Sequence, residues 1–138
     1  MITYLTADDV LRINESFAGP GQLRDFGLLD GAVLRPQTSA FGEDAFPTIH
    51  EKAAAFLHGL ARNHPFVTAN KRTAWTATAM FYTVNGYDVH SEAGDTVGLT
   101  NDVAEGQLGV QDIAFILKAW AQPLPISDDW MGNDDTLF

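Results

Sequence analysis

A histidine lies six residues before an Asn-Lys-Arg sequence in the stretch His64–Arg72. Imidazole titrates near neutrality, so His64 can take a proton from a substrate hydroxyl. Asn70 begins a predicted apolar helix, where unpaired N–H groups and the helix dipole favour an anion. Lys71 adds a point charge there, and Arg72 adds a bidentate fork for phosphate. The spacing therefore predicts a phosphate pocket with a general base beside it.

An alternative interpretation of His64 is a helix-ending residue that hydrogen-bonds the last carbonyls of the preceding helix. Lys71 and Arg72 follow His64 closely in the sequence, and this favours the role of His64 as a general base. Phe66 is expected to anchor the intervening loop in the core. His50 and His58 lie eight residues apart without a zinc-binding pattern, so we predict structural roles for both. P-loop and Rossmann glycine motifs do not occur, which excludes those nucleotide sites.

Charge is distributed unevenly along the chain. The net charge of −10 argues against non-specific binding to nucleic acid, which needs basic patches. Yet residues 52–87 contain no Asp or Glu and hold four of the eight basic residues. This pattern indicates an anion site within an acidic protein. A buried segment, poor in charges of either sign, would give the same pattern, and the two explanations are compatible.

The length and composition indicate a globular protein. A chain of 138 residues is enough for one domain with its own core. It has no apolar run of about 18 residues for a membrane span and no signal-peptide pattern at its start. It also has no cysteine, which excludes disulfides and thiolate metal sites. We therefore expect a cytoplasmic protein.

Hydrophobic periodicity and capping residues predict a mostly α-helical domain. Residues 37–47 lack helical periodicity and predict a loop or small hairpin, which either serves function or covers the core with Phe41 and Phe46. Thr48 and Glu51 form a predicted capping box. The predicted helices follow Thr6 up to Gly19 and cover residues 28–34, 48–63, 70–85, 93–105 and 110–121.

The stretch His64–Arg72 resembles the signature of the Fic/Doc superfamily, H-P-F-x-[D/E]-[G/A]-N-[G/K]-R. Lys71, in place of a second glycine, is similar to the death-on-curing (Doc) branch, and Ala69 fits that branch as well. Other segments are similar in the same order, and the resemblance covers about residues 3–122. It implies an all-α Fic/Doc-like helical bundle with a small β flap at about residues 35–46. Residues 123–138 are then an acidic C-terminal tail.

The resemblance also implies an activity. Fic proteins usually transfer AMP from ATP to a protein hydroxyl, whereas the Doc branch transfers the terminal phosphate of ATP to a threonine of elongation factor Tu and blocks translation. The implied base is His64, and the implied phosphate-binding and catalytic residues are Ala69, Asn70, Lys71 and Arg72. Such toxins pair with an antitoxin, here expected to be Phd-like, whose disordered segment covers the site. No direct contact with nucleic acid or membrane is implied.

One position departs from the family pattern. Thr68 replaces the acidic residue that helps hold Mg²⁺ between the phosphates. A neutral oxygen is a weak ligand for this hard cation. Either another carboxylate reaches the site, with Asp25, Glu43 and Asp44 as candidates, or the protein is an impaired enzyme that only binds its partner or nucleotides.

Overall fold

The computed structural model describes residues 1–125 and shows six helices with two small antiparallel sheets. The predicted all-α fold with a small β flap is confirmed. A 3-10 turn, Arg35–Gln37, follows the second helix. The elements are α1 (Ala7–Ala18), α2 (Phe26–Leu34), β1 (Ser39–Ala40), β2 (Glu43–Asp44), α3 (Ile49–Asn63), α4 (Asn70–Val84), β3 (Tyr87–Val89), α5 (Ala93–Ala104), α6 (Val110–Trp120) and β4 (Ala121–Pro123).

Helix α3 forms the centre of the domain and packs against α2, α4, α5 and α6. Nine of its fifteen residues are buried. Small side chains allow this close packing: a Cβ on Gly59 would lie 3.1 Å from the Ala32 side chain of α2. Phe56 meets Phe81 of α4 at a centroid distance of 5.9 Å. The two ends of α3 are therefore rigid supports for the segments that precede and follow it.

The helix caps follow local sequence rules, with one exception. Thr6 and Asp9 form a complete capping box at the start of α1. At α3 the predicted capping box is wrong, although Thr48 does cap the helix by accepting from the Glu51 N–H. The Glu51 carboxylate accepts instead from the Thr48 hydroxyl and from Gln111 of α6. A tertiary partner has replaced the backbone bond.

Two other boundaries differ from the predictions. Helix α2 begins at Phe26 rather than Leu28, because Asp25 caps it by accepting from the Leu28 N–H at 2.9 Å. Helix α6 ends at Trp120 rather than Ala121, and the chain continues directly as β4, which pairs with β3 and includes Pro123. The remainder of the predicted acidic tail, residues 126–138, lies outside the described residues.

The predicted flap is a two-residue-per-strand hairpin, with Ser39 opposite Asp44 and Ala40 opposite Glu43. It precedes α3, whereas the loop that carries the motif follows α3. In the part of the chain that the structure describes, no helix is long and apolar enough to cross a membrane.

Candidate active site at the start of α4

The motif loop, residues 64–69, joins the end of α3 to the start of α4. Both of its end residues adopt the left-handed conformation, His64 with φ 46° and Ala69 with φ 61°. This conformation costs a residue with a side chain about 1–2 kcal/mol. Two of the six loop residues have this conformation, and it persists only where the surrounding contacts determine the backbone.

Residues 22–25, which we call the strap, supply many of these contacts. The strap connects α1 to α2 and lies against the motif loop. Its backbone contacts are the bonds Val67 N to Gln22 O at 2.8 Å, Arg24 N to Pro65 O at 2.8 Å and Asp25 N to Pro65 O at 3.1 Å, with a β-bridge between Leu23 and Phe66. The middle of the loop is thus held like one strand of a short sheet.

Two asparagines secure the far end of the loop. The Asn70 amide accepts from Phe66 N at 2.9 Å and donates to Phe66 O at 2.8 Å. Asn14, fully buried on α1, donates to Thr68 O at 3.0 Å and to the Thr73 hydroxyl at 3.1 Å. Phe66 is 2% exposed, which confirms the prediction that it anchors the loop. Because the Asn70 side chain is engaged with the loop, its backbone N–H is the group available to an anion.

The start of α4 has the features of an anion site. No side chain within residues 1–125 caps this helix, so its first N–H groups lack intrahelical acceptors. Lys71 and Arg72 are both exposed there. The Arg72 guanidinium lies 5.2 Å from the ring centroid of Phe17, a cation–π contact that orients it. Backbone dipoles and two cations therefore favour phosphate at one place.

A cavity of about 740 Å³ brings the predicted site residues together. It lies between the motif loop, α1, α4 and α5, and among residues 1–125 none of those that line it is acidic. The lining residues are Phe17, Ala18, His64, Thr68, Ala69, Asn70, Lys71, Arg72, Trp75, Thr76, Thr96, Val97, Thr100 and Asn101. All six predicted site residues, from His64 to Arg72, are in this set.

His64 does end α3, as in the alternative interpretation, but the donor to the last carbonyls is another residue. Arg24 donates from Nε to the His64 carbonyl at 2.9 Å and from Nη2 to the Asn63 carbonyl at 3.0 Å. The imidazole of His64 makes no hydrogen bond to residues 1–125 and is exposed toward the cavity that it lines. Its nitrogens are therefore accessible to a substrate hydroxyl.

The three carboxylates considered as metal ligands do not reach the cavity. Asp25 caps α2, Asp44 pairs with Lys52 at 3.1 Å, and Glu43 lies exposed on the hairpin. Across residues 1–125, no group of three or more His, Asp or Glu side chains is placed to bind a metal. Thr68 offers only a hydroxyl. Residues 1–125 thus do not supply the ligand set expected for a protein-held Mg²⁺.

His50 and His58 have structural environments, as predicted. His50 Nδ1 lies 2.9 Å from the Tyr82 hydroxyl, and His58 Nδ1 contacts Arg35. Burial lowers the pKa of both histidines, and nearby cations, Lys118 for His50 and Arg35 for His58, lower it further. Neither histidine lines the cavity.

Several residues of the site were missed in the sequence. Phe17 and Trp75 are not among the predicted site residues, although both line the cavity. Asn14 could have been found from the sequence, because it is a polar residue next to the apolar stripe of α1. A buried amide needs a specific hydrogen-bond partner. No local pattern marks Arg24 or the wall formed by α5, because both meet the loop only through tertiary packing.

The fold and the site together define a helical domain in which a histidine and the uncapped start of a helix with two cations line one cavity. The model of the Fic/DOC family matches residues 4–82, more than half of the chain. "Toxin Doc" of Mycolicibacterium smegmatis is 42% identical over 124 residues, covering 88% of this chain and 95% of that protein. "Protein kinase doc" of Escherichia phage P1 is 25% identical over 119 residues, covering 83% and 93%. The chain belongs to the Fic/Doc superfamily, in its Doc branch.

Proposed function

We propose that the protein is the toxin of a toxin–antitoxin pair and transfers phosphate from ATP to a threonine hydroxyl of a translation factor, with elongation factor Tu as the first candidate. The observation that carries the proposal is that His64 and the anion site at Ala69–Arg72 line the same cavity. The names of the two relatives, a toxin and a protein kinase, support the same class of activity. A target in translation implies action in the cytoplasm.

The side chains suit this transfer. The His64 imidazole accepts the proton of the hydroxyl, whose oxygen forms a bond to the terminal phosphorus of ATP. The bond from that phosphorus to the bridging oxygen breaks, and ADP leaves with the electron pair. Lys71, Arg72 and the first N–H groups of α4 stabilise the charge on the phosphoryl oxygens, which is the main catalytic task in phosphoryl transfer.

The mass of the target tests this proposal directly. Purified protein is incubated with elongation factor Tu and ATP, and the intact mass of the factor is measured. We expect a gain of one phosphate on a threonine. A gain of one AMP would instead establish the Fic-type AMP transfer, in which the hydroxyl oxygen attacks the first phosphorus and pyrophosphate leaves. No gain on this factor or on other translation factors would contradict both transfer activities.

An antitoxin is the proposed partner. In this proposal its disordered, Phd-like segment folds over the cavity and excludes ATP and the target. Co-expression with a Phd-like antitoxin that forms a stable complex with the protein should restore growth to cells that express the toxin. Growth inhibition that persists when a stable complex forms would contradict a segment that covers the site.

A second candidate function is a catalytically weak module that binds its partner or nucleotides. Among residues 1–125 none that lines the cavity is acidic, and this favours the binding module, because Thr68 stands where a carboxylate for Mg²⁺ is expected. That the protein uses Mg²⁺ therefore stays a prediction. In the transfer described above, no residue of the chain acts as a metal ligand.

The substitution Thr68→Asp distinguishes the two candidates. In a transferase weakened at this position, the added carboxylate should increase phosphate transfer in the presence of Mg²⁺ by about tenfold or more. Thr76→Asp is the matched control, since it adds the same charge to the cavity wall outside the motif loop. A Thr68→Asp protein that binds its partner and still transfers nothing would establish the binding module.

A further inference from the structure

We propose that Arg24 is a positioning residue for His64: its guanidinium holds the end of α3 in the conformation that presents the imidazole to the cavity. The role of His64 as base rests on the proposed function, whereas the contact itself does not. Arg24 does not line the cavity, so any effect on the reaction must act through the backbone that it binds.

The end of α3 lacks the usual backbone cap. A helix that ends in a left-handed residue normally satisfies carbonyls of its last turn with the N–H groups of that residue and of the residue after it. Here His64 is the left-handed residue and Pro65 follows it, and proline has no N–H to donate. The terminal carbonyls of α3 therefore need donors from elsewhere in the chain.

Arg24 supplies these donors with a suitable geometry. Its Nε donates to the His64 carbonyl and its Nη2 to both the His64 and Asn63 carbonyls. Only the planar guanidinium offers several N–H groups in a fixed fork, and its charge also complements the negative end of the helix dipole. A lysine at position 24 has a single flexible ammonium group and is a partial substitute.

The next residue is held by the same segment. Pro65 O accepts from Arg24 N and Asp25 N, so the strap fixes the backbone on the C-terminal side of His64 as well. The His64 side chain has no hydrogen-bond partner within residues 1–125. The backbone of His64 therefore fixes the point and direction from which the imidazole leaves the chain, and the Arg24 side chain is the part of the strap that contacts the His64 residue itself.

The two functions of the motif loop have separate supports. Arg24 holds the histidine end, whereas Asn14 and Asn70 hold the end that leads into Lys71 and Arg72. Loss of Arg24 should therefore disturb the base while leaving the anion site intact. In kinetic terms, the transfer rate should fall with little change in nucleotide affinity.

The test compares Arg24→Ala and Arg24→Lys with Arg62→Ala in the full chain. Arg62 is the matched control, because it is also exposed and donates from Nη1 to the Ala104 carbonyl at the end of α5, at 3.0 Å. Two readouts are recorded: the NMR signals of the His64 ring in histidine-labelled protein, and the dissociation constant of a non-hydrolysable ATP analogue. Neither requires a known protein target.

We expect Arg24→Ala to shift or broaden the His64 ring signals, Arg24→Lys to restore them in part, and Arg62→Ala to leave them unchanged. Nucleotide affinity should remain at the wild-type value in all three, and the transfer rate to the target should fall about tenfold or more in Arg24→Ala alone.

Unchanged His64 signals in Arg24→Ala, or an equal change in Arg62→Ala, would overturn the proposal. If Arg24→Ala does not fold, the Arg24→Lys signals decide: wild-type signals overturn it and altered signals support it. A wild-type protein that modifies no target contradicts the proposed function, but the His64 signals still decide the role of Arg24.

Discussion

The hairpin that precedes α3 and the motif loop that follows it are supported in very different ways. All four strand residues of the hairpin are exposed, and Phe41 at its tip is fully exposed. It is tied at its base, where the buried Lys52 ammonium meets Asp44 at 3.1 Å and the Phe46 carbonyl at 2.6 Å. The motif loop is held along its whole length by the strap, Asn14 and Asn70.

The difference matches the task proposed for the motif loop. A general base must stay within hydrogen-bonding distance of its proton, and small displacements are costly in rate. A loop that presents such a base benefits from many directional contacts. An exposed hairpin with few buried contacts has low local stability and can adjust to whatever it meets. The predictions below test this contrast, beginning with the largest expected effect.

The largest effect is expected for His64→Ala. Removing a general base lowers a transfer rate by a factor on the order of 10²–10⁴. The melting temperature should not change, since the imidazole is exposed and has no hydrogen-bond partner within residues 1–125. The measurement is phosphate incorporation into the target, together with growth inhibition in cells. His90→Ala is the control, because His90 is also exposed but pairs with Asp88 away from the cavity. Transfer at the wild-type rate by His64→Ala would remove this histidine from the mechanism.

Removing the Asn14 side chain, which holds the motif loop from α1, should lower the free energy of unfolding. Asn14→Ala removes two hydrogen bonds and leaves the Thr68 carbonyl without its donor, so we expect a loss of about 2 kcal/mol in the free energy of unfolding. Denaturant unfolding measures it. Ser16→Ala, which removes an exposed hydroxyl that bonds the Ile13 carbonyl on the same helix, should cost about 0.5 kcal/mol or less. Equal losses for the two variants would argue against Asn14 as a support.

A smaller effect on stability is expected when the pH is lowered and His58, which contacts Arg35 just before the hairpin, is protonated. Burial lowers the pKa of His58 below its ordinary value of 6.5, and the charges of Arg35 and Arg62 lower it further. The unfolded chain therefore takes up this proton at a higher pH than the folded chain does. Stability should be complete above pH 6.5 and should decrease as the pH falls below that value. Protonation would also break the bond from Arg35, whose guanidinium lies 5.8 Å from the Phe46 ring centroid.

Unfolding measured at about pH 7.5 and about pH 5.5 tests this expectation. His58→Gln should lose less stability between the two values than the wild type. His50 has a lowered pKa for the same main reason, burial, and contributes with the same sign. A wild type and a His58→Gln variant with identical losses would show that His58 does not contribute.

The smallest effect is expected at the tip of the hairpin. Phe41→Ser should change the free energy of unfolding by less than about 0.5 kcal/mol, because the ring is fully exposed. Phe66→Ala in the motif loop is the contrasting variant, and removing that buried ring should cost about 3–5 kcal/mol. Both are measured by denaturant unfolding. Similar costs for the two would contradict the difference between the segments.

Much of the fold could be predicted from the sequence because its rules act over a few residues. Thr6 and Thr48 mark helix starts, and Asn85 with Gly86 marks the end of α4, as observed. The motif His64–Arg72 is equally local, so its residues were predicted to meet at one pocket and they do line one cavity. The capping box at Thr48 was wrong because Gln111, sixty residues away in sequence, binds the same carboxylate.

What the sequence determined by itself is therefore the helical frame and the chemical groups of the site: a histidine, a helix start with two cations, and a threonine where a carboxylate is expected. What only the tertiary structure decided is how firmly these groups are held. Arg24 binds a carbonyl 40 residues away and Asn14 one 54 residues away. Such contacts depend on helix packing around α3, and the local pattern at Arg24 or Asn14 does not encode them. The same packing left the hairpin exposed and placed the strap and Asn14 against the motif loop.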